Sequence, residues 1–330
     1  MTAEQCPKRM FYGPCGGVRA GGSCEVDDRA CPFVDAPLVR WAGADIVASA
    51  PALPQRADGL IVTDLRVRPF DRRSTHDVVT LLRESSDLLL VGDHHSRPDY
   101  PPSFMVEVIL ASGGTPWVTL SCRDRNRVVL EAELAALAAL GVAGVHCVTG
   151  DARAPSVRTD VTQVFDLDSL RLTAAVRHAG LCASVAATPA APPVARRPNR
   201  IVEKERAGAQ LCFVNHAGGV GAVASFVAAC RAAGATLGFV PCVSVFTDVR
   251  SLTVLTQFPG LVVDGDVAEL VLGAADPRQA GIDAGVAQAR AMLAIDGVVG
   301  VNLSGAATTG AEVENAAIMA EIAGRLRAGA

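Results

Sequence analysis

Four cysteines near the start of the chain have the residue type and spacing to hold a metal ion. Cys6, Cys15, Cys24 and Cys31 are separated by eight, eight and six residues, with pairs of glycines between them. Four thiolates can converge on one tetrahedral ion when the connecting loops turn tightly, and glycine allows such turns. The spacing is wider than that of a CxxC knuckle. By itself, it leaves open whether these cysteines bind a metal.

The other six cysteines lie far apart in apolar segments and are predicted to be small core residues. The start of the chain lacks the pattern of a signal peptide, so we expect a cytoplasmic protein with reduced thiols. Half of the 330 residues are hydrophobic and 19% are charged, which predicts a globular chain. No apolar run is long enough for a membrane span. The net charge of −4 and the scattered arginines argue against nucleic-acid binding.

Eight short runs rich in Val, Leu and Ala alternate with helical stretches over about 270 residues. Apolar runs that are continuous rather than alternating are typical of parallel strands buried on both faces. Eight such repeats predict a (β/α)₈ TIM barrel rather than an open sheet. The predicted strands are Leu60–Val67, Leu88–Val91, Trp117–Cys122, Gly144–Thr149, Cys182–Ala187, Leu211–Asn215, Leu237–Val245 and Val298–Leu303.

The predicted organisation has three parts. Residues 1–35 are rich in Gly, Cys and Pro and cannot build a hydrophobic core, so this small cysteine-rich module needs another source of stability, which a bound metal could provide. Residues 36–58 are an Ala/Pro connector, and residues 59–330 form the barrel as a catalytic domain.

Barrel active sites lie at the carboxyl ends of the strands, so polar residues there are candidate site residues. They include Asp64, His94, Arg123, Asp151, Thr188 and Asn215. The chain has 28 arginines but only two lysines, Lys8 and Lys204, so each lysine is a candidate for a specific role.

Two parts of the sequence carry a family resemblance. The segment from Cys6 to Val26, followed by Cys31-Pro-Phe, resembles the cysteine-rich module found with methylenetetrahydrofolate reductases of bacteria and archaea. The resemblance implies that Cys6, Cys15, Cys24 and Cys31 bind a metal. Zinc suits a closed site of four thiolates, an iron–sulfur cluster is the alternative, and the role would be structural.

The barrel carries the second resemblance. The Arg-Asp-Arg-Asn-Arg loop ending at Arg127, the Thr149-Gly-Asp151 turn and the segment from Lys204 to Asn215 resemble the methylenetetrahydrofolate reductase barrel. The resemblance implies that Asp151 lies beside the flavin and the pterin, that Asn215 replaces a folate-binding glutamine, and that Lys204 faces the cofactor phosphates. The implied flavin pocket is lined by Thr119, Thr149, Gly150 and Thr188.

Further roles at the barrel mouth follow from the same resemblance. His94 is predicted to contact the folate or the nicotinamide, and Arg123 is predicted to contact the glutamate tail of the folate or a cofactor phosphate. The three threonines of this implied pocket replace a histidine, an arginine and a tyrosine of the family, so it stays open whether the protein binds FAD. The family also has a first-strand glutamate that acts as an acid. Alignment on the strand start puts Asp64 there and alignment on the proline puts Arg66 there, and only Asp64 could give up a proton.

The predicted function is that of a methylenetetrahydrofolate reductase-like oxidoreductase, with catalytic residues Asp151, Asp64 and Asn215. It would transfer a hydride from NAD(P)H, through a flavin or directly, to 5,10-methylenetetrahydrofolate. The alternative is a folate-binding relative that acts in methyl transfer to or from tetrahydrofolate or as a subunit of a methyltransferase complex. A homo-oligomer is a further possibility.

Overall fold

The computed structural model describes residues 5–43, 52–93, 98–152, 158, 160–256, 260–305 and 311–328. Eight parallel strands follow one another in sequence order and close into a barrel. They are β1 (Leu60–Leu65), β2 (Leu88–Val91), β3 (Pro116–Ser121), β4 (Gly144–Val148), β5 (Ala183–Ala187), β6 (Leu211–Val214), β7 (Gly238–Val245) and β8 (Gly300–Gly305). The predicted TIM barrel is confirmed, with each predicted strand end within two residues of the observed one.

Ten α-helices are seen in the described residues, and most connect successive strands. They are α1 (Arg72–Leu82), α2 (Pro102–Ala111), α3 (Arg127–Ala139), α4 (Ser169–His178), α5 (Arg197–Arg206), α6 (Val220–Ala232), α7 (Val249–Thr256), α8 (Gly265–Leu272), α9 (Pro277–Leu293) and α10 (Glu312–Ala328). No helix in these described ranges is both long and apolar enough to cross a bilayer.

The continuous apolar runs are explained by burial on both strand faces. Val62, Leu88, Trp117 and Phe213 pack together in one core cluster. The alternate residues of the same strands, such as Ile61, belong to the larger cluster that includes residues of the surrounding helices. Closing the sheet also brings the carboxyl ends of all eight strands around one mouth.

The cysteine-rich segment packs directly on the barrel. Arg200 of α5 donates a hydrogen bond from Nη1 to the carbonyl oxygen of Tyr12 at 2.8 Å. The amide of Phe11 donates to Oδ2 of Asp168 at 3.4 Å. The rings of Tyr12 and Trp41 are 5.1 Å apart, so residues beyond the predicted module boundary at residue 35 also take part in this packing.

Candidate ligand site

A cavity of about 280 Å³ lies between the cysteine-rich segment and the barrel mouth. Its barrel side includes residues on β4, residues that follow β3, β4, β5 and β6, and residues of α5. These include Arg123, His146, Thr149, Gly150, Asp151, Thr188, Arg197, Arg200, Lys204 and Asn215. The other side is formed by Lys8, Met10, Pro14, Cys15, Gly16, Gly17 and Glu25. The amino-terminal segment is therefore one wall of the cavity.

Arg123 fixes the loop that carries Asp151. Its guanidinium is buried, donates from Nε to Oδ1 of Asp124 at 2.7 Å, and donates a second hydrogen bond to Oδ2 of the same carboxylate. Its Nη1 also donates to the carbonyl oxygen of Asp151 at 3.3 Å. A bidentate guanidinium–carboxylate contact restricts orientation strongly. Arg123 therefore positions Asp151 in addition to lining the cavity.

The turn between β4 and Asp151 depends on glycine. Gly150 has φ +94°, and a Cβ at this position would lie 2.2 Å from Oγ of Ser121 and 2.9 Å from Cβ of Arg123. Both the backbone conformation and the lack of space exclude a side chain. The Thr-Gly-Asp sequence thus brings Asp151 to the cavity beside β3.

Asn215 and Thr188 meet at the carboxyl ends of β6 and β5. Nδ2 of Asn215 lies 3.4 Å from Oγ1 of Thr188. The amino-terminal segment approaches the same threonine, since a Cβ on Gly16 would lie 2.8 Å from its Oγ1. The structure therefore brings Asp151, Asn215 and Thr188 to one cavity, as the sequence predicts.

Lys204 points into the barrel. Its Nζ donates a hydrogen bond to the carbonyl oxygen of Ala186 at 2.5 Å. Burial, together with the charge of Arg200, lowers the pKa of Lys204 to about 7. Burial likewise lowers the pKa of the nearby His146 to about 3, and Nδ1 of His146 lies 2.9 Å from Oγ of Ser184. Neutral histidine is therefore the stable form inside the barrel at neutral pH.

Lys8 and Glu25 form a buried ion pair in the opposite wall. Both side chains are almost completely buried, at 3% and 2% exposure. Burial alone would lower the pKa of Lys8, but electrostatic interactions with Cys15, Glu25 and Asp151 raise it. The ammonium also lies 5.9 Å from the ring centroid of Phe165. Lys8 thus contacts Glu25 within the module and Phe165 on the barrel side.

The four amino-terminal cysteines line a second, much smaller cavity of about 10 Å³. Burial raises the pKa of Cys6, and it raises the pKa of Cys31 to about 11. A metal would have to displace the protons of these thiols. Across the described residues, no three His, Cys, Asp or Glu side chains are arranged as a ready metal site. The four thiols share one cavity, and their metal binding stays a prediction.

Asp64 lies at the β8–β1 side of the barrel and is not among the residues that line the 280 Å³ cavity. Nδ2 of Asn302 donates to Oδ1 of Asp64 at 2.9 Å. Burial raises the pKa of Asp64, while hydrogen bonds from Asn302 and Ser304 and the charge of Arg66 oppose this rise. The carboxyl group is therefore held by neighbouring strands away from Asp151.

Four of the five residues predicted to hold a flavin line the 280 Å³ cavity, namely Thr149, Gly150, Thr188 and Lys204. Thr119 lines a neighbouring cavity with Asp93 and Arg125. Oγ1 of Thr149 accepts a hydrogen bond from the amide of Ser169 at 3.2 Å. Lys204 points inward, and Thr188 contacts the module. The predicted flavin residues thus divide between two neighbouring cavities, and flavin binding stays a prediction. His94, the other predicted folate contact, lies outside the described residues.

Sequence reasoning missed most of the module wall and the buried cations of α5. Arg197 and Arg200 line the cavity, yet nothing in their local sequence distinguishes them from surface arginines. Glu25 belongs to the sequence motif around Cys24, and nothing in that motif predicts its place in the cavity wall. One signal was available for Lys8, because both lysines of the chain line this cavity.

Comparison with known proteins gives one family match. Residues 2–40 match the family model described as methylene-tetrahydrofolate reductase C terminal. In this chain the matching segment precedes the barrel. No curated protein matches the chain significantly.

Solved structures resemble the barrel at low sequence identity. One is an uncharacterised protein from Clostridium thermocellum that binds two copies of 5-methyl-5,6,7,8-tetrahydrofolic acid. It is 12% identical, has a TM-score of 0.58, and the match covers 80% of this chain and 94% of that one. A 2,3-dimethylmalate lyase is 12% identical over 75% of each chain, with a TM-score of 0.47. Tryptophan synthase from M. tuberculosis is 16% identical over 81% of this chain and 91% of that one, with a TM-score of 0.43. The first of these likenesses supports the barrel fold, and the segment 2–40 is similar to a module of methylene-tetrahydrofolate reductases.

Proposed function

We propose that the protein binds a reduced folate in the cavity between the cysteine-rich module and the barrel mouth. One observation carries the proposal. The segment that matches the methylene-tetrahydrofolate reductase model forms a wall of the same cavity that Asp151 and Asn215 line from the barrel. The structurally similar barrel from Clostridium thermocellum, described as binding 5-methyltetrahydrofolic acid, supports the same ligand class.

The chemistry of the cavity suits a pterin. Its volume of about 280 Å³ lies near the lower end of the range for small-molecule pockets, roughly 300–1,000 Å³. A pterin ring system presents N–H donors next to a carbonyl acceptor. Asp151 and Glu25 can accept hydrogen bonds, Lys8 can donate them, and the Asn215 amide can do both. The p-aminobenzoylglutamate tail would extend out of the cavity.

The reaction that this ligand class and the resemblance suggest is reduction of 5,10-methylenetetrahydrofolate. A hydride from NAD(P)H would reach the methylene carbon, giving 5-methyltetrahydrofolate and NAD(P)⁺ with uptake of one proton overall. Asp151 would stabilise the cationic iminium form of the folate through its fixed negative charge. The module and barrel walls would hold the pterin and exclude water.

The position of Asp64 favours the alternative activity. Opening of the methylene bridge needs an acid, and Asp64 is the first-strand candidate for that role. It is held by Asn302 and does not line the cavity with Asp151. A folate-binding protein that acts in methyl transfer, or as a subunit beside a methyltransferase, needs the cavity but has no methylene bridge to open.

The experiment that separates these activities is anaerobic oxidation of NADH by the purified protein in the presence of 5,10-methylenetetrahydrofolate, with and without added FAD. Turnover without FAD would establish direct reduction, and turnover only with FAD would establish a flavin. Binding of folate without turnover would support the methyl-transfer or partner role. Absence of both binding and turnover would overturn the proposed function.

A further inference from the structure

The buried Lys8–Glu25 pair belongs neither to the four cysteines nor to the residues predicted to be catalytic. Taking two charges out of water costs free energy that a single mutual contact does not fully offset. Yet neither side chain is more than 3% exposed, and both line the ligand cavity. The module has a glycine, Gly17, where a side chain would collide with the Glu25 carboxyl group. A Cβ on Gly17 would lie 2.2 Å from the carboxyl carbon of Glu25.

The pair also lies between the two cavities of this region. Lys8, Met10, Cys15 and Glu25 line both the small cysteine cavity and the ligand cavity. Lys8 and Glu25 line the ligand cavity from the module, and Asp151 lines it from the barrel. The pair is therefore placed to contact a ligand as well as to hold the module together.

We propose that Lys8 and Glu25 recognise the lactam edge of the pterin, so that the module selects the ligand as well as enclosing it. This inference rests on the proposed folate binding. An ammonium beside a carboxylate presents a donor next to an acceptor. The C4 carbonyl and N3–H of a 4-oxopterin are the complementary acceptor and donor. A 4-aminopterin carries a donor at C4, which the Lys8 ammonium cannot pair with.

The specificity of the pair is measurable with two small ligands. The full-length protein is titrated calorimetrically, under anaerobic conditions, with 6-methyltetrahydropterin and with its 4-amino counterpart. A hydrogen bond to a charged group corresponds to roughly a 10- to 100-fold change in affinity. We expect the wild type to prefer the 4-oxo ligand by at least this lower factor. Lys8→Met is expected to weaken 4-oxo binding roughly 10- to 100-fold and to remove the preference.

Two further variants separate recognition from folding. Lys8→Met leaves Glu25 buried without its partner, whereas the double variant Lys8→Met/Glu25→Gln leaves no unpaired charge. If the single variant fails to fold, the double variant therefore still allows the affinities for the 4-oxo and 4-amino ligands to be compared. Arg29→Met/Asp27→Asn removes another ion pair of the module, one that is partly exposed and does not line the cavity. This control is expected to keep the preference for the 4-oxo ligand.

The outcomes distinguish this inference from the function on which it rests. Loss of the preference in the double variant, with the control unchanged, supports recognition by Lys8 and Glu25. An unchanged preference in the double variant, with 5-methyltetrahydrofolate still bound, overturns the recognition role and leaves folate binding intact. A wild type that binds neither pterin nor 5-methyltetrahydrofolate overturns the proposed function and this inference with it.

Discussion

Asn302 on β8 donates a 2.9 Å hydrogen bond from Nδ2 to Oδ1 of Asp64 on the neighbouring strand β1. The same amide group lies 3.5 Å from Sγ of Cys242 on β7. These contacts hold Asp64 within the β7–β8–β1 side of the barrel, whereas Asp151 follows β4 and faces the module. The two carboxyl groups predicted to act together therefore occupy different surroundings.

The separation of these two carboxyl groups predicts different effects of the same substitution. Asp151→Asn removes the negative charge that lines the cavity and is expected to weaken 5-methyltetrahydrofolate binding about tenfold or more. Asp64→Asn is the matched control, since it removes a carboxylate outside the cavity, and we expect its affinity to stay within about twofold of the wild type. Isothermal titration measures both. Equal losses in the two variants would contradict the assignment of the site to the Asp151 cavity.

The glycine before Asp151 gives a second prediction. Gly150→Ala would place a Cβ 2.2 Å from Oγ of Ser121 in a backbone conformation with φ +94°, so the turn must shift. We expect a loss of about 2–4 kcal/mol in the free energy of unfolding together with weaker folate binding. Gly141→Ala is the control, because φ is +70° there but no atom lies within 4 Å of the added Cβ. It is expected to cost about 1 kcal/mol and to leave affinity unchanged. The same cost in both variants would show that the contact with Ser121 is relieved easily.

Docking of the module depends on buried arginines of α5. Arg200→Met removes the donor to the Tyr12 carbonyl, which would be left buried without this hydrogen bond. We expect about 1–3 kcal/mol of destabilisation in chemical denaturation and a lower folate affinity. Arg290→Met also removes an arginine bonded to a backbone carbonyl, but that contact is exposed, and we expect little change. Undiminished folate affinity in a folded Arg200→Met protein would show that the docked module is not needed for binding.

Lys204 predicts a pH dependence of stability. Its pKa is lowered to about 7 in the folded protein, mainly by burial, so the unfolded chain binds more protons than the folded one above pH 7. The free energy of unfolding should therefore rise with pH. Between pH 6 and pH 8, Lys204 is expected to contribute about 1 kcal/mol to this rise. Lys204→Met lacks this increment. Urea unfolding of both proteins at the two pH values, with a reductant, measures the difference. Parallel changes in the two proteins would place the pKa of Lys204 well above 8.

The cysteine cluster predicts bound metal. If the four thiols that share the small cavity hold one ion, the purified protein should contain about one zinc or, for a cluster, several irons per chain. Cys15→Ser removes one ligand and is expected to lower metal content and the stability of the module. Cys230→Ser, in the barrel core, should keep the metal. Elemental analysis by mass spectrometry measures both variants. Full metal content in Cys15→Ser would remove Cys15 from the ligand set.

The barrel could be predicted because its signal is local. Most strand residues are apolar, and they are buried in the core clusters on both sides of the sheet. Asp151 and Asn215 could be placed for the same reason, since residues that directly follow such strands must lie at the mouth. The contacts between the module and the barrel could not be predicted in this way. The contact between Arg200 and Tyr12 joins residues 188 positions apart and has no local pattern.

The separation of Asp64 from the cavity could not be predicted either. Its position at the end of β1 is correct, but the partners that hold it, Asn302 and Ser304, lie on a strand at the other end of the sequence. Closure of the barrel makes β8 the neighbour of β1. The orientation of a polar side chain at the mouth depends on hydrogen bonds to neighbouring strands. These neighbours are known only once the sheet is closed.

The most direct test of the account is calorimetric titration of the wild-type protein with 5-methyltetrahydrofolate, repeated with Asp151→Asn and with Lys8→Met/Glu25→Gln. If folate binds between the barrel and the module, 5-methyltetrahydrofolate should bind saturably to the wild type and more weakly to both variants. Absence of binding to the wild type, or equal affinity in all three proteins, would contradict the central claim that this cavity is a folate site.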